Sequence, residues 1–241
     1  MGTTLVVDSV GRRYGRRSAV TEVTFDWDSG ALGIAGSNGS GKSTLLGMCA
    51  GVIAPSSGSV TLIADGVAMS PRAGRVGYVP QQFGFPSSLR IADMVAYSAW
   101  LQGVAHPSDA ASWALREVDL QDEALLALGK ASGGMVRRAG IAAALVSRPD
   151  VLVLDEPSAG VDVEQREVLR TLIRAQARER LVLLSSHIGD DFTGVCRQLI
   201  VLDRGRSVFE GTPADAINAG GGESIEKAIV EIPKRARAAR A

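Results

Sequence analysis

Residues 36–44 read GSNGSGKST, and this run limits the chain to a small set of folds. Gly36, Gly41, Lys42 and Ser43 meet every fixed position of G-x-x-x-x-G-K-[ST]. Ser37, Asn38, Gly39 and Ser40 fill the interval with almost no side-chain bulk. Glycines let a backbone curl until successive N–H groups converge as an anion nest. The apolar run ALGIA at 31–35 precedes the loop, and KSTLLGMCA, from Lys42 through Thr44 to Ala50, reads as a helix after it. A helix start adds partial positive charge. Lys42 is placed to bridge β- and γ-phosphates, and the Ser43 hydroxyl to ligate Mg²⁺. The loop therefore predicts a nucleoside triphosphate. A merely flexible Gly/Ser loop would explain neither the lysine nor the strand–loop–helix context.

Short apolar runs recur along the chain, at 5–7, 23–25, 60–63, 76–80, 151–155, 181–186, 198–203 and 207–209. Several are apolar at consecutive positions, as in strands buried on both faces of a parallel sheet. Helical patterns separate some of them, at 42–50, 164–177 and 189–195, which predicts an α/β domain. From about 88 to 147 the chain reads only as helices, an insertion into that α/β core. PSSG at 55–58 and DG at 65–66 are turns within a β-rich N-terminal part. AGGGES at 219–224 reads as a hinge, and the basic end IPKRARAARA as a solvated, disordered tail with lipid contact as the alternative.

VLVLDEP at 151–157 is an apolar strand that ends in two acids. Its C-terminal edge is where sites in open α/β sheets form. Asp155 is placed to hold the magnesium shell. Glu156, pointing elsewhere, is placed to act on the attacking water as general base. Without the phosphate loop, the pair would read as an acidic turn.

Charge and cysteines exclude several classes. With 26 basic and 26 acidic residues, the net charge of +0 gives no field for nucleic acid. Cys49 and Cys196 belong to no CxxC or Cys/His cluster, so buried thiols are expected rather than a disulfide or a metal site. The N-terminus lacks a signal-peptide core, and no run approaches the ~18 apolar residues of a bilayer span. A soluble, cytoplasmic chain is expected.

The stretch KASGGMVRRAGIAAALVSRPDVLVLDEPSAGVD at 130–162 resembles the signature-to-D-loop region of ABC ATPases. Ser132, Gly133 and Gly134 match the leucine-led L-S-G-G-Q signature, while Ala131 and Met135 depart from it. Gln81 in GYVPQQ resembles the Q-loop glutamine, with Gln82 as the competing choice. His187 in LLSSHIGDD resembles the switch histidine, Asp162 the D-loop aspartate, and Tyr14 in RRYG the aromatic that stacks on adenine. Taken singly, His187 could be an ordinary strand-end histidine and Tyr14 a core residue. The ordered matches run from about residue 5 to 215.

The resemblance implies a P-loop NTPase fold: a RecA-like core with an N-terminal antiparallel β lobe and an inserted α-helical subdomain. It implies one ATPase domain over 1–220, with core 1–87 and 148–220, helical subdomain 88–147, and a short tail at 221–241. It implies ATP and Mg²⁺ as ligands, with Ser43, Gln81 and Asp155 around the metal. Ser132, Gly133 and Gly134 would close over ATP bound to a second protomer, taken as a copy of this chain, with a sister ATPase as the alternative. Ala131 would lose a packing leucine and loosen the start of its helix; Met135 would remove a polar side chain near that ATP. A separate transmembrane permease would dock beside the Q-loop, where Phe83, Phe85 and Trp100 are candidates for an apolar wall or for subdomain core. The chain would then lie on the inner face of the membrane. Antibiotic, lantibiotic and multidrug exporters are the most similar branch. An importer ATPase and an iron–sulfur assembly ATPase remain open.

Overall fold

The computed structural model describes residues 2–71 and 75–239. Strands β1 (Thr4–Tyr14) and β2 (Arg17–Trp27) form a long antiparallel pair. Strand β3 (Ala31–Gly36) runs through the Gly-rich loop into α1 (Lys42–Cys49). The chain returns to the first sheet as β4 (Ser57–Ala64) and β5 (Val67–Met69), then enters the second as β6 (Val76–Val79). Helices α2 (Ile91–Leu101), α3 (Pro107–Glu117) and α4 (Gly133–Leu145) follow, with only an isolated bridge between Arg90 and Ala127. Next come β7 (Val151–Asp155), α5 (Val163–Glu179), β8 (Leu181–Ser185), α6 (Gly189–Thr193), β9 (Gln198–Asp203) and β10 (Arg206–Gly211). Helices α7 (Pro213–Gly220) and α8 (Ile225–Ala238) complete the order.

One sheet is antiparallel, in the order β2-β1-β4-β5; the other runs β10-β9-β3-β8-β7-β6. In the second, β9, β3, β8, β7 and β6 are parallel and only the edge strand β10 is antiparallel. The parallel strands are buried on both faces, and their alternation divides two cores. Val151 and Val153 of β7 face the antiparallel sheet and α1, while Leu152 and Leu154 join the core under the helices. This registry sets Gly36, Asp155 and Ser185 at one end of the sheet, since β3 and β7 both flank β8. Crevices at the carboxyl ends of such strands are where ligands bind.

Two sequence expectations need revision. Strand β5 carried no signal, because its three residues are largely exposed and make a short edge. The expected disordered end is instead helix α8, through Ala238, with Ile225, Ala228, Ile232 and Pro233 buried. Ser224 caps it, accepting from the Lys227 N–H at 3.3 Å, and Gly220 touches Ala228 so closely that a side chain at 220 would collide. Pro233 sits beyond the first turn without ending the helix. The last two residues of the basic stretch lie outside the described residues.

Cys49 and Cys196 are both buried and free. Burial pushes the Cys49 thiol up to about 12 and the Cys196 thiol higher still. Among the described residues, no helix is long and apolar enough to cross a membrane.

Candidate functional site

The Gly-rich loop is shaped by contacts that exclude side chains. Gly36, Gly39 and Gly41 all have positive φ, at 146°, 77° and 110°. A Cβ on Gly41 would lie 2.5 Å from the Ala19 carbonyl, and one on Gly36 would lie 2.5 Å from that of Leu202. The loop is pinned from within by Ser40 N–H donating to Ser37 O at 3.1 Å, and from without by Gly205 N–H donating to Ser40 O at 2.8 Å. The buried Ser40 Oγ has no hydrogen-bond partner among the described residues.

Lys42 opens α1 and is itself buried. Its ammonium donates to the carbonyls of Gly36 at 2.9 Å and Ser37 at 3.3 Å, and lies 3.9 Å from Glu156 Oε1. Burial lowers its pKa, opposed by the charges of Glu156 and Asp155. The lysine is thus a largely desolvated cation facing two carboxylates at the sheet end.

Asp155 and Glu156 are 2% and 6% exposed. Ser185, paired with Asp155 across β7 and β8, donates its hydroxyl to Asp155 Oδ1 at 2.6 Å and accepts the Glu156 N–H at 2.9 Å. Glu156 has φ of 51°, a left-handed conformation uncommon for a side chain of its size. That turn separates its carboxylate from that of Asp155. Glu156 Oε2 meets His187 Nδ1 at 2.5 Å.

His187 is itself braced. Ser186 Oγ donates to Asp191 Oδ2 at 2.6 Å and accepts the Ile188 N–H at 3.0 Å, and Asp191 is held by Arg170 Nε of α5 at 3.0 Å. The residues on both sides of His187 are therefore fixed. Helix α8 presses on the same segment, since a Cβ on Gly189 would collide with Ile225 and Glu226.

Beside these groups opens a cleft of about 620 Å³, reached by Lys42 and Glu156 but not lined by Asp155 or His187. Tyr14, Asn38, Gly39, Gly41, Lys42, Ser43, Thr44, Gln81 and Glu156 line it. Tyr14 is 46% exposed with the Arg12 guanidinium 4.8 Å from its ring centre, so it is not a core residue. Gln82 does not line the cleft. The residues fit a triphosphate: a cradle that a Cβ would fill, a buried cation and an unpartnered hydroxyl. Among the described residues, no group of three His, Cys, Asp or Glu could hold a metal. A hard cation with one carboxylate, a serine hydroxyl and phosphate oxygens fits Mg²⁺ better than a metal that needs a protein cage.

Ser132, Gly133, Gly134 and Asp162 do not line this cleft. Ser132 caps α4, accepting the Met135 N–H at 3.2 Å, and Met135 Sδ accepts the Ser132 N–H at 3.5 Å. Met135 thus closes a capping box with sulfur. Ala131 is half-buried against the core, directly before the Ser132 cap of α4. Asp162 caps α5, accepting the Gln165 N–H at 2.8 Å.

A second, apolar groove of about 510 Å³ includes Phe83, Phe85, Leu101 and Gly140 in its lining. Trp100 belongs to neither expected place. It is 64% exposed and stacks on Tyr97 with ring centres 5.9 Å apart, outside both the groove and the core.

Sequence reasoning missed Arg17, which lines the cleft, and the braces Ser185 and Asp191. The two serines that end the apolar run before His187 were the available signal. Asp191 and Arg17 carried none.

The sequence pattern of the ABC transporter family matches residues 20–159, more than half of the chain. Nod factor export ATP-binding protein I of Burkholderia pseudomallei is 34% identical over 216 residues, 87% of this chain and 71% of that protein. Linearmycin resistance ATP-binding protein LnrL of Bacillus subtilis is 28% identical over 227 residues, 92% of this chain and 73% of that one. A solved ATP-binding subunit of an ABC transporter superposes with a TM-score of 0.78 at 25% identity, covering 95% of this chain and 98% of that one. An ATP-binding cassette dimer solved with ADP and Pi has the same fold, with a TM-score of 0.73 at 21% identity over 86% of this chain and 98% of that one. With the cleft, the buried lysine and the paired acids on one sheet edge, these matches make the chain a member of the ABC transporter family, as its ATP-binding, ATP-hydrolysing component.

Proposed function

We propose that the chain powers export through a separate transmembrane permease, by closing as a dimer on ATP and reopening on hydrolysis. The observation that carries the ATPase half is that Lys42 and Glu156 line one cleft within 3.9 Å of each other, with His187 on the Glu156 carboxylate. Tyr14 stacks on adenine. The backbone from Gly36 to Gly41, with Lys42 and Thr44, holds the phosphates. Ser43, Asp155 and Gln81 would hold Mg²⁺, which when bound would neutralise charge on the phosphates. Glu156 accepts a proton from the attacking water, and His187 orients that carboxylate through its Nδ1 contact. Ser132, Gly133 and Gly134, with Asp162, complete the site of a second copy of the chain. The core spans 1–87 and 148–220, with 88–147 as its helical subdomain.

The export half is supported by the names of the relatives and by the apolar groove beside Gln81, which suits an amphipathic segment of a membrane subunit. The chain then works on the cytoplasmic face, held there by its permease. Tagged Glu156→Gln protein, captured with ATP from detergent-solubilised membranes of its host, should bring down a stoichiometric polytopic membrane protein. Capture of soluble partners alone would sink the exporter reading and favour an assembly-type ATPase.

A further inference from the structure

Arg137 on α4 touches both the apolar groove and the ATP cleft's neighbours. Nη1 donates to the Gln81 carbonyl at 2.8 Å and Nη2 to the Ala159 carbonyl at 3.4 Å. The guanidinium carbon lies 5.7 Å from the centre of the Phe83 ring. Gln81 lines the ATP cleft, while Ala159 belongs to the turn that leaves the catalytic carboxylate, its N–H donating to Glu156 O at 3.2 Å. Phe83 walls the groove and rests directly on the backbone of Gly140, where any Cβ would collide with the ring. One half-buried side chain therefore bridges the groove wall, the peptide of Gln81 and the turn after Glu156.

We propose that Arg137 is a positioning residue that carries the state of the Phe83 groove to Gln81 and Glu156. This rests on the reading of the groove as the permease dock and of Gln81 and Glu156 as acting on ATP. The planar fork suits the task, because two donors in one rigid plane hold two carbonyls from separate segments. A lysine has a single nitrogen and cannot keep that span. A segment that enters the groove and moves the Phe83 ring moves the guanidinium stacked on it, and with it the spacing of Gln81 and Ala159. Neither Arg137 nor Phe83 lines the ATP cleft, so the effect falls on turnover rather than on nucleotide affinity. Burial lowers the Arg137 pKa while the Glu156 charge raises it, so the cation already senses that carboxylate.

The test uses the full chain without a permease, by ATP titration of phosphate release, with thermal melting as the fold control. Arg137→Ala should lower kcat by about 10-fold, the scale of a displaced catalytic group, with KM within about twofold. Arg137→Lys should show the same loss, and it carries the test if the alanine variant does not fold. Phe83→Leu should lower kcat, and the Phe83→Leu/Arg137→Ala double variant should be no slower than Arg137→Ala alone. A wild-type rate for Arg137→Lys, multiplying losses in the double variant, or a change confined to KM would overturn the proposal. Failure to capture a membrane partner would overturn the exporter reading instead, so the two failures are read in different experiments.

Discussion

The chain opens two helices with glycine-rich loops, and the two are built differently. The loop before α1 is walled in: glycine at 36 and 41 is enforced by carbonyls 2.5 Å from where a Cβ would stand. It encloses its own buried cation and an unpartnered hydroxyl. The loop before α4 has an exposed Ser132 and Gly133 and no lysine in its first turn. A Cβ on Gly133 would meet only the Gly160 carbonyl, at an ordinary 3.8 Å. Nothing in this chain requires glycine at 133, whereas a Cβ on the buried Gly134 would lie 2.5 Å from Gln165 Oε1 of α5. The first loop is constrained on all sides by its own chain; the second is constrained at Gly134 and open at Gly133, as the proposed closure on a second protomer requires.

The largest effect should separate chemistry from binding within the first site. Glu156→Gln should cut turnover by on the order of 1,000-fold, the range of general-base catalysis, while ATP affinity stays unchanged. A near-normal phosphate-release rate would remove Glu156 as the base. Lys42→Ala should weaken nucleotide binding by about 100-fold, the scale of lost charge-assisted hydrogen bonds, in a fluorescent-nucleotide titration. Unchanged affinity would dissolve the distinction between the loops. Gly133→Ala sharpens that distinction most directly. It should leave melting and nucleotide affinity unaltered and lower turnover by about 10-fold, because the added methyl obstructs only a closed dimer. Wild-type turnover would mean that the second loop faces no partner. The smallest effect belongs to the sulfur acceptor of the α4 cap. Met135→Ala should lower the melting temperature by about 1–2 °C, as expected for a loss near 0.5 kcal/mol.

Legibility followed the range of the interactions. The central strands were readable because burial on both faces leaves consecutive apolar residues, as in Val151 to Leu154. The phosphate loop was readable because its fixed positions fall within nine residues, although the contacts that enforce its glycines come from Ala19 and Leu202. Helix α8 was misread: its buried positions, Ile225, Ala228 and Ile232, are spaced for one helix face, yet Pro233 and the basic end drew attention to disorder. Arg137 and Asp191 were illegible for another reason. Their meaning lies in partners 56 residues away at Gln81, and 21 away at Arg170. No local pattern encodes such pairings. Trp100 shows the limit of hydrophobicity as a guide, since its ring is spent on Tyr97 at the surface.

The two cysteines settle a practical matter. Both thiols are buried and shifted far toward the protonated form, so at neutral pH neither should react with maleimide or a bifunctional reagent. The native sequence is then already a silent background for labelling. A single cysteine placed at an exposed position such as Ser132 or Asn38 would be the sole reactive thiol, and pairing the two positions across protomers would report dimer closure directly as a disulfide.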